Sequence, residues 1–225
     1  MEVFMDVKKY VIEEILKNFE YGCKYGDVAT AKEIIEVQDD VNLASLISGK
    51  TFLMIACKYG LIEVVKFLLS KGADANQKDI FYHNALWYAC FSNKFEIFSL
   101  LYDAGVDIIT KSSLYTKDIL FLACEICDEN IVSFLLKLGF DVNVRDFSGN
   151  TSLFIAAKKN KLALVKVLLE NGAIVNAKNM FGETPILVAA MNNNIRIVDY
   201  LVSFGINENQ DFITKMITAI RLNNA

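Results

Sequence analysis

Apolar and polar residues recur along the chain with a long, regular period. Five apolar segments begin 33, 34, 33 and 33 positions apart, namely TFLMIACKYG (51–60), NALWYACFSN (84–93), DILFLACEIC (118–127), TSLFIAAKKN (151–160) and TPILVAAMNN (184–193). Each is followed by a second segment, such as EVVKFLLSKGADAN (63–76), whose apolar residues fall at helical spacing. A period of this length predicts one structural unit used five times.

A glycine ends each second apolar segment, at a place where a helix terminus favours the left-handed conformation. These glycines are Gly72, Gly105, Gly139, Gly172 and Gly205. The pattern predicts a helix, a turn, a second helix and a polar loop in every unit. No unit can bury both faces of its helix pair alone, so the units are expected to stack around one core as a single domain, 1–225.

The units resemble the ankyrin repeat, whose typical sequences are T-P-L-H-x-A in the first helix and L-L-x-x-G-A-D-x-N in the second. FGETPILVAA (181–190) keeps the Thr184–Pro185 pair of that family. The resemblance implies an all-α solenoid of helix–turn–helix units with β-turn or hairpin loops. Apolar packing is expected to replace the family's Thr–His hydrogen bonds, because its histidine place holds Met54, Trp87, Phe121, Phe154 and Leu187.

The resemblance divides the chain into repeats at 43–76, 77–109, 110–143, 144–176 and 177–209. Residues 1–42 are expected to form an N-terminal cap and degenerate repeat, with its first helix lengthened by residues 7–21. Residues 210–225 correspond to a C-terminal half-repeat cap or a truncation. The unit at 109–143 has an extra loop residue and Cys127 where a turn glycine is usual, so we expect it to be the least stable.

Composition and charge narrow the functional classes. The 225 residues are 54% hydrophobic with a net charge of −4, and the 23 lysines and arginines form no run of five or more. Nucleic acid selects a dense basic stripe, so it is not an expected partner. No signal peptide is visible at the N-terminus, and the apolar runs are far shorter than the roughly 18 residues that span a bilayer. We therefore expect no membrane association.

The cysteines recur with the repeat. Cys23, Cys57, Cys90 and Cys124 are separated by 34, 33 and 34 residues, and alanine holds the same place in the other two units. A place that accepts only alanine or cysteine predicts a small buried contact. Five cysteines, an odd number, argue against a disulfide framework and favour a reducing compartment such as the cytoplasm, with delivery into a host cell as an open possibility.

Sulfur chemistry is the weaker interpretation of these residues. Cys124 and Cys127 form a C-x-x-C pair, which leaves a thiol-redox protein as an open alternative. A structural zinc site needs four ligands, yet there is no second C-x-x-C and His83 is the only histidine. No nucleophile elbow, Walker loop or dinucleotide-binding loop is present. We expect neither enzyme activity, nor a metal, nor another cofactor.

The resemblance implies that partners bind at the loop tips and at exposed positions of the first helices, which line a groove. Those positions hold six lysines against two glutamates, together with several aromatic residues that suit interfaces. The predicted partner-binding residues are Lys24, Tyr25, Lys58, Tyr59, Ile80, Phe81, Phe91, Leu114, Tyr115, Phe147, Lys158, Lys159, Met180, Phe181 and Met191. For the tip phenylalanines, packing against the next loop is an equal alternative.

The sequence therefore predicts a non-enzymatic protein–protein interaction module. Its groove is expected to be aromatic and mildly basic, and to bind a protein partner through an acidic segment with apolar anchors. We expect a monomer. Self-assembly of the array through its C-terminal end, as a structural scaffold, is the alternative from another functional class.

Overall fold

The computed structural model describes residues 2–107, 119–204 and 218, with side chains from residue 7 onward. The chain forms two compact units, which we call unit 1 (Met1–Thr116) and unit 2 (Lys117–Ala225). The expectation of one continuous domain stays a prediction. The low stability expected for the unit at 109–143 also stays a prediction, because residues 108–118 lie outside the described part.

The described secondary structure is helical, with short loops between helices, and the all-α prediction is confirmed. Unit 1 contains α1 (Glu2–Tyr25), α2 (Val28–Glu36), α3 (Phe52–Tyr59), α4 (Ile62–Ser70), α5 (Ala85–Ser92) and α6 (Phe95–Asp103). Unit 2 contains α7 (Ile119–Ile126), α8 (Glu129–Lys137), α9 (Ser152–Lys158), α10 (Leu162–Glu170), α11 (Pro185–Met191) and α12 (Ile195–Ser203). At 24 residues, α1 is much longer than the rest, in agreement with the expected lengthening. No described helix is long and apolar enough to cross a membrane.

The first helix of a repeat begins at a capping side chain. Thr51, Thr151 and Thr184 each accept a hydrogen bond from the backbone N–H three residues later, at 3.3–3.4 Å. Asn84 does the same at α5. Such a side chain satisfies one of the N–H groups that a helix leaves unpaired at its start. Pro185 follows Thr184 at the first helical position, where its fixed φ suits the helix.

A left-handed residue lies at most turns between paired helices. Gly60, Asn93, Asn160 and Asn193 have φ between 51° and 73°. Cys127, at the corresponding place in unit 2, is not left-handed, and its N–H donates to the carbonyl of Ala123 at 2.8 Å. Left-handed glycines also follow the second helices, at Gly72, Gly105, Gly139 and Gly172, as predicted, whereas Gly205 lies outside the described residues.

Small residues allow the first helices to pack closely within each unit. α3 lies along α5 in unit 1, and α9 lies between α7 and α11 in unit 2. The prediction that the periodic cysteines are buried is confirmed, since Cys23, Cys57, Cys90 and Cys124 are at most 2% exposed. Cys127 is buried too. Ala157 and Ala190, which hold the same place in their own repeats, are also buried.

The described repeat loops are shaped by an acceptor side chain near their start. Asp146 Oδ1 accepts from the backbone N–H groups of Ser148 and Asn150, and Asn179 Oδ1 accepts from those of Phe181 and Glu183. Isolated antiparallel bridges at Ala44–Thr51 and Arg145–Thr151 close two of these loops. The predicted hairpin-like loops are thereby confirmed, and each projects its central residues away from the helices.

Candidate protein-binding surface

Four rings form a continuous strip on unit 1, which we call the aromatic strip: Phe81, His83, Trp87 and Phe91. The ring centroids lie 6.0 Å apart for the first pair, 3.7 Å for the second and 4.9 Å for the third. Trp87 and Phe91 are four residues apart and share one side of α5, and His83 stacks on Trp87 from the loop before that helix. Phe81 and Phe91 are exposed at the two ends, whereas His83 is buried and stacked on Trp87. The strip therefore presents aromatic surface from a rigid support.

The support comes from Asp79, whose carboxylate holds the loop tip at residues 79–83. Oδ1 accepts from the backbone N–H groups of Phe81 and His83, at 2.8 and 2.9 Å. Oδ2 accepts from the Tyr88 hydroxyl at 2.7 Å and lies 3.3 Å from His83 Nδ1. The Asp79 side chain is 0% exposed. All four contacts are internal, so this carboxylate positions the tip and does not reach a ligand.

Protonation states follow from this burial. Burial lowers the pKa of His83 below its ordinary 6.5 and outweighs the opposing effect of Asp79. Burial raises the pKa of Tyr88 well above its ordinary value, and Asp79 adds to the increase. At neutral pH the tip thus holds a neutral imidazole and a neutral phenol around one carboxylate. These hydrogen bonds stiffen the loop. His83 is stacked on Trp87 and buried, so it is not open to a substrate.

Lys58 and Tyr59 contact α1 instead of projecting freely. Glu20 Oε1 accepts from Lys58 Nζ and from the Tyr59 hydroxyl, both at 2.9 Å. Burial favours the neutral form of Glu20, but the hydrogen bonds from Lys58 and Tyr59 outweigh it and lower the pKa of Glu20. Both side chains are half-buried. Their assignment to partner binding stays a prediction. The expectation that they project freely is wrong, because both side chains bind Glu20.

The last turns of α1 also carry exposed aromatic surface. Tyr25 is 65% exposed, its ring centroid lies 4.6 Å from that of Tyr21, and Lys24 Nζ is 5.6 Å from the Tyr25 ring. Lys24 and Tyr25 are therefore available at the surface, as predicted for partner-binding residues.

Two neighbouring loop tips of unit 1 hold exposed apolar residues, of which Leu46, Ile47 and Tyr82 were not among the predicted partner-binding residues. The backbone N–H of Ile80 donates to the carbonyl of Ser48, so the two tips adjoin. Exposed apolar side chains on them are Leu46, Ile47, Ile80, Phe81 and Tyr82, which we call the tip patch. Aligning the loops on the capping residue would have found Ile47, since it occupies the place of Ile80, Phe147 and Met180.

Three lysines lie near α5 or next to the tip of residues 79–83. Lys50 Nζ lies 5.7 Å from the centroid of the Tyr88 ring, and Lys78, next to the tip, is exposed. Lys94 follows α5, and its Nζ donates to the carbonyl of Gly60. The nearby carboxylates of Glu20 and Asp79 are already engaged by Lys58 and by the tip. Lys78 is therefore an exposed positive charge at this tip.

Unit 2 carries a separate apolar surface on two adjoining tips. The backbone N–H of Met180 donates to the carbonyl of Ser148 at 2.8 Å. Phe147, Met180 and Phe181 are 74–77% exposed, so the tip phenylalanines are not covered by the next loop. At the ends of its first helices, Lys158, Lys159 and Met191 are exposed as well. Two predicted tip residues, Leu114 and Tyr115, lie outside the described part of the chain.

Burial disfavours the thiolate form of Cys23 and Cys57. Burial raises the pKa of Cys23 to about 12, and burial also raises the pKa of Cys57. A nucleophilic or metal-binding cysteine needs a thiolate, which burial disfavours. Within residues 2–107 and 119–204, no group of three histidine, cysteine or carboxylate side chains is placed to hold a metal ion.

Comparison with known proteins identifies the repeats. A family model of ankyrin repeats, three copies long, matches residues 19–112 and 86–179, and a single ankyrin-repeat model matches residues 181–210. The chain belongs to the ankyrin-repeat family. The ankyrin assignment agrees with the period, the caps and the paired helices described above. Ankyrin repeats are generally protein–protein interaction modules, and the exposed tips of this ankyrin-repeat chain suit that use.

Several proteins resemble the array over much of its length. The human ASB11 ankyrin-repeat domain superposes with a TM-score of 0.75 at 23% identity, covering 85% of both chains. A second match is a chain from the complex of the Bd0816 predatory endopeptidase of Bdellovibrio bacteriovorus with immunity protein Bd3460. It superposes with a TM-score of 0.71 at 25% identity, covering 83% of this chain and 97% of that one. Potassium channel AKT2/3 of Arabidopsis thaliana is 29% identical over 61% of this chain, which spans only 17% of the channel.

Proposed function

We propose that the protein is a non-enzymatic protein–protein interaction module, and that unit 1 binds an acidic partner segment carrying apolar anchors. The observation that carries this proposal is the aromatic strip, whose end residues Phe81 and Phe91 are exposed while its middle is fixed. Aromatic side chains held in this way dominate many interfaces, because they bury large areas at low entropic cost.

Charge defines the chemistry of the partner. Lys78 is exposed beside the tip and Lys50 lies near the Tyr88 ring, while Glu20 is paired with Lys58 and the buried Asp79 carboxylate is hydrogen-bonded within the tip. An acidic segment would be attracted to this surface, and screening by salt would weaken the attraction. The structural neighbour from an endopeptidase–immunity protein complex supports protein binding as a use of this fold. Buried thiols are compatible with action in a reducing compartment such as the cytoplasm.

Alanine substitution of the strip tests the proposal. Peptides selected from a displayed random library on the full chain supply the probe, and isothermal titration measures their affinity. Phe91→Ala is expected to weaken binding by about tenfold or more, since an exposed end ring is lost without opening the core. The matched control is Ile174→Ala in unit 2, which removes an exposed apolar side chain elsewhere.

Two results would count against this function. One is equal affinity of wild type and Phe91→Ala for every selected peptide. The other is a selected set without acidic residues whose affinity is insensitive to salt. Circular dichroism and thermal melting of both variants establish that a loss of affinity is not a loss of folding.

A further inference from the structure

Tyr82 has a backbone conformation that only glycine adopts at the other described tips. Its φ is 65°, and the corresponding residues are Gly49, Gly149 and Gly182, with φ of 73°, 75° and 77°. Left-handed backbone is unfavourable for residues with a Cβ, and a bulky residue there is uncommon. The tip of residues 79–83 therefore carries local strain that its sister loops avoid.

No internal contact accounts for the tyrosine. Its side chain is 60% exposed, and it makes no hydrogen bond, ion pair or ring contact within the described residues. Steric crowding does not explain why glycine stands at every sister position. A Cβ at Gly49 would lie 2.9 Å from Asp79 Cα, so glycine is required there, whereas a Cβ at Gly182 meets nothing within 4 Å.

The loop holds Tyr82 in this strained conformation from both sides. Asp79 accepts hydrogen bonds from the N–H groups of Phe81 and His83, and the Tyr82 N–H donates to the Asp79 carbonyl at 3.0 Å. Strained residues persist where the surrounding structure fixes them, and they are typical of ligand-binding sites. The Asp79 contacts thus hold an exposed phenol ring in one fixed place.

We infer that Tyr82 is the specificity-determining anchor of the tip patch, and that its ring contacts an apolar residue within the acidic partner segment. This role rests on the proposed function and adds a second contact region beside the strip. Ile47, Ile80 and Phe81 add exposed apolar surface on the same two adjoining tips, and Lys78 adds positive charge. Tyrosine suits such a place because it has only two side-chain torsions to immobilise.

Three substitutions separate the ring from the backbone strain. Tyr82→Gly removes both, Tyr82→Asn removes the ring but tolerates the left-handed backbone, and Tyr82→Phe keeps the ring and loses only the hydroxyl. Affinities are measured for synthetic acidic peptides selected on the wild-type full chain, with Phe91→Ala alongside. Tyr82→Gly and Tyr82→Asn are expected to lose roughly 30-fold in affinity, while Tyr82→Phe stays close to wild type.

Thermal melting gives the second measurement. Tyr82→Gly is expected to raise Tm by about 2–4 °C, because relief of strain stabilises a chain of this length by that amount. A variant that is more stable and yet binds less tightly is the result expected of an anchor, and loss of packing does not produce it. A Tm below that of wild type would overturn the strain argument.

The binding results distinguish the two hypotheses. If Phe91→Ala loses affinity while Tyr82→Gly and Tyr82→Asn bind like wild type, Tyr82 is not an anchor and the proposed function stands. If none of these variants changes the affinity for any selected peptide, both the anchor and the proposed function of unit 1 are rejected.

Discussion

Asp79→Ala should be the most damaging single substitution at the unit 1 tip. The change leaves three donors without their acceptor: the N–H groups of Phe81 and His83 and the hydroxyl of Tyr88. An unsatisfied buried donor costs about 1–3 kcal/mol, and water can reach the exposed Phe81 side of the loop, so we expect a total loss of about 4 kcal/mol in the free energy of unfolding.

Asp79→Asn is the informative comparison. Asn179 already shapes its own tip through Oδ1, which accepts from two backbone N–H groups at 2.9 Å. An asparagine at 79 can keep those two bonds and lose only the acceptor facing Tyr88, so its cost should be about 1–2 kcal/mol. The matched control in unit 2 is Asp146→Ala, which strands two backbone N–H groups but no buried phenol.

Urea denaturation followed by tryptophan fluorescence measures these differences. Trp87 is the only tryptophan in the chain, and its ring stacks on His83 at 3.7 Å, so its emission reports on this tip. The expected order of stability is wild type, then Asp79→Asn, then Asp79→Ala. Equal losses for the two Asp79 variants, or a loss below about 1 kcal/mol for alanine, would show that the carboxylate does not support the tip.

Three further predictions concern His83, the cysteines and two left-handed glycines. His83 has a lowered pKa when folded, so the unfolded chain binds its proton first, and stability should fall as pH drops below 6.5; His83→Gln, in pH-dependent melts, should flatten that slope. The buried thiols should react with a thiol reagent only after denaturation, and fast labelling of the native chain would contradict their burial. Gly49→Ala should lower Tm more than Gly72→Ala, since both are left-handed but only the first Cβ meets backbone.

The sequence predicted the repeat fold because burial recurs with the period. Every unit needs the same kind of residue at the same place. This requirement produces the helix pairs, the left-handed glycines and the buried alanine or cysteine of the first helix. The spacing of Cys57 and Cys90 identified them as packing residues, and both are buried in the structure. A property that repeats is therefore readable from a single sequence.

Contacts between different places of neighbouring repeats were not readable in the same way. Lys58 and Tyr59 were expected to project outward, yet both bind Glu20, which lies 38 and 39 residues earlier. That separation is one period of 34 residues plus about one helical turn, so stacking of α1 on α3 brings the three together. The sequence spacing could therefore have predicted this contact, but only by combining the repeat period with the helical pitch.

Aromatic residues at the repeat tips and first helices of unit 1 fall into two groups that the sequence could not separate. Tyr59 and His83 have internal partners, Glu20 for the first and Asp79 with Trp87 for the second, so their substitution should cost stability first. Tyr82 and Phe91 are exposed, and Tyr82 in addition has an unfavourable backbone conformation. Because stability alone would replace Tyr82 by glycine, its ring is the place where a binding requirement is most directly visible.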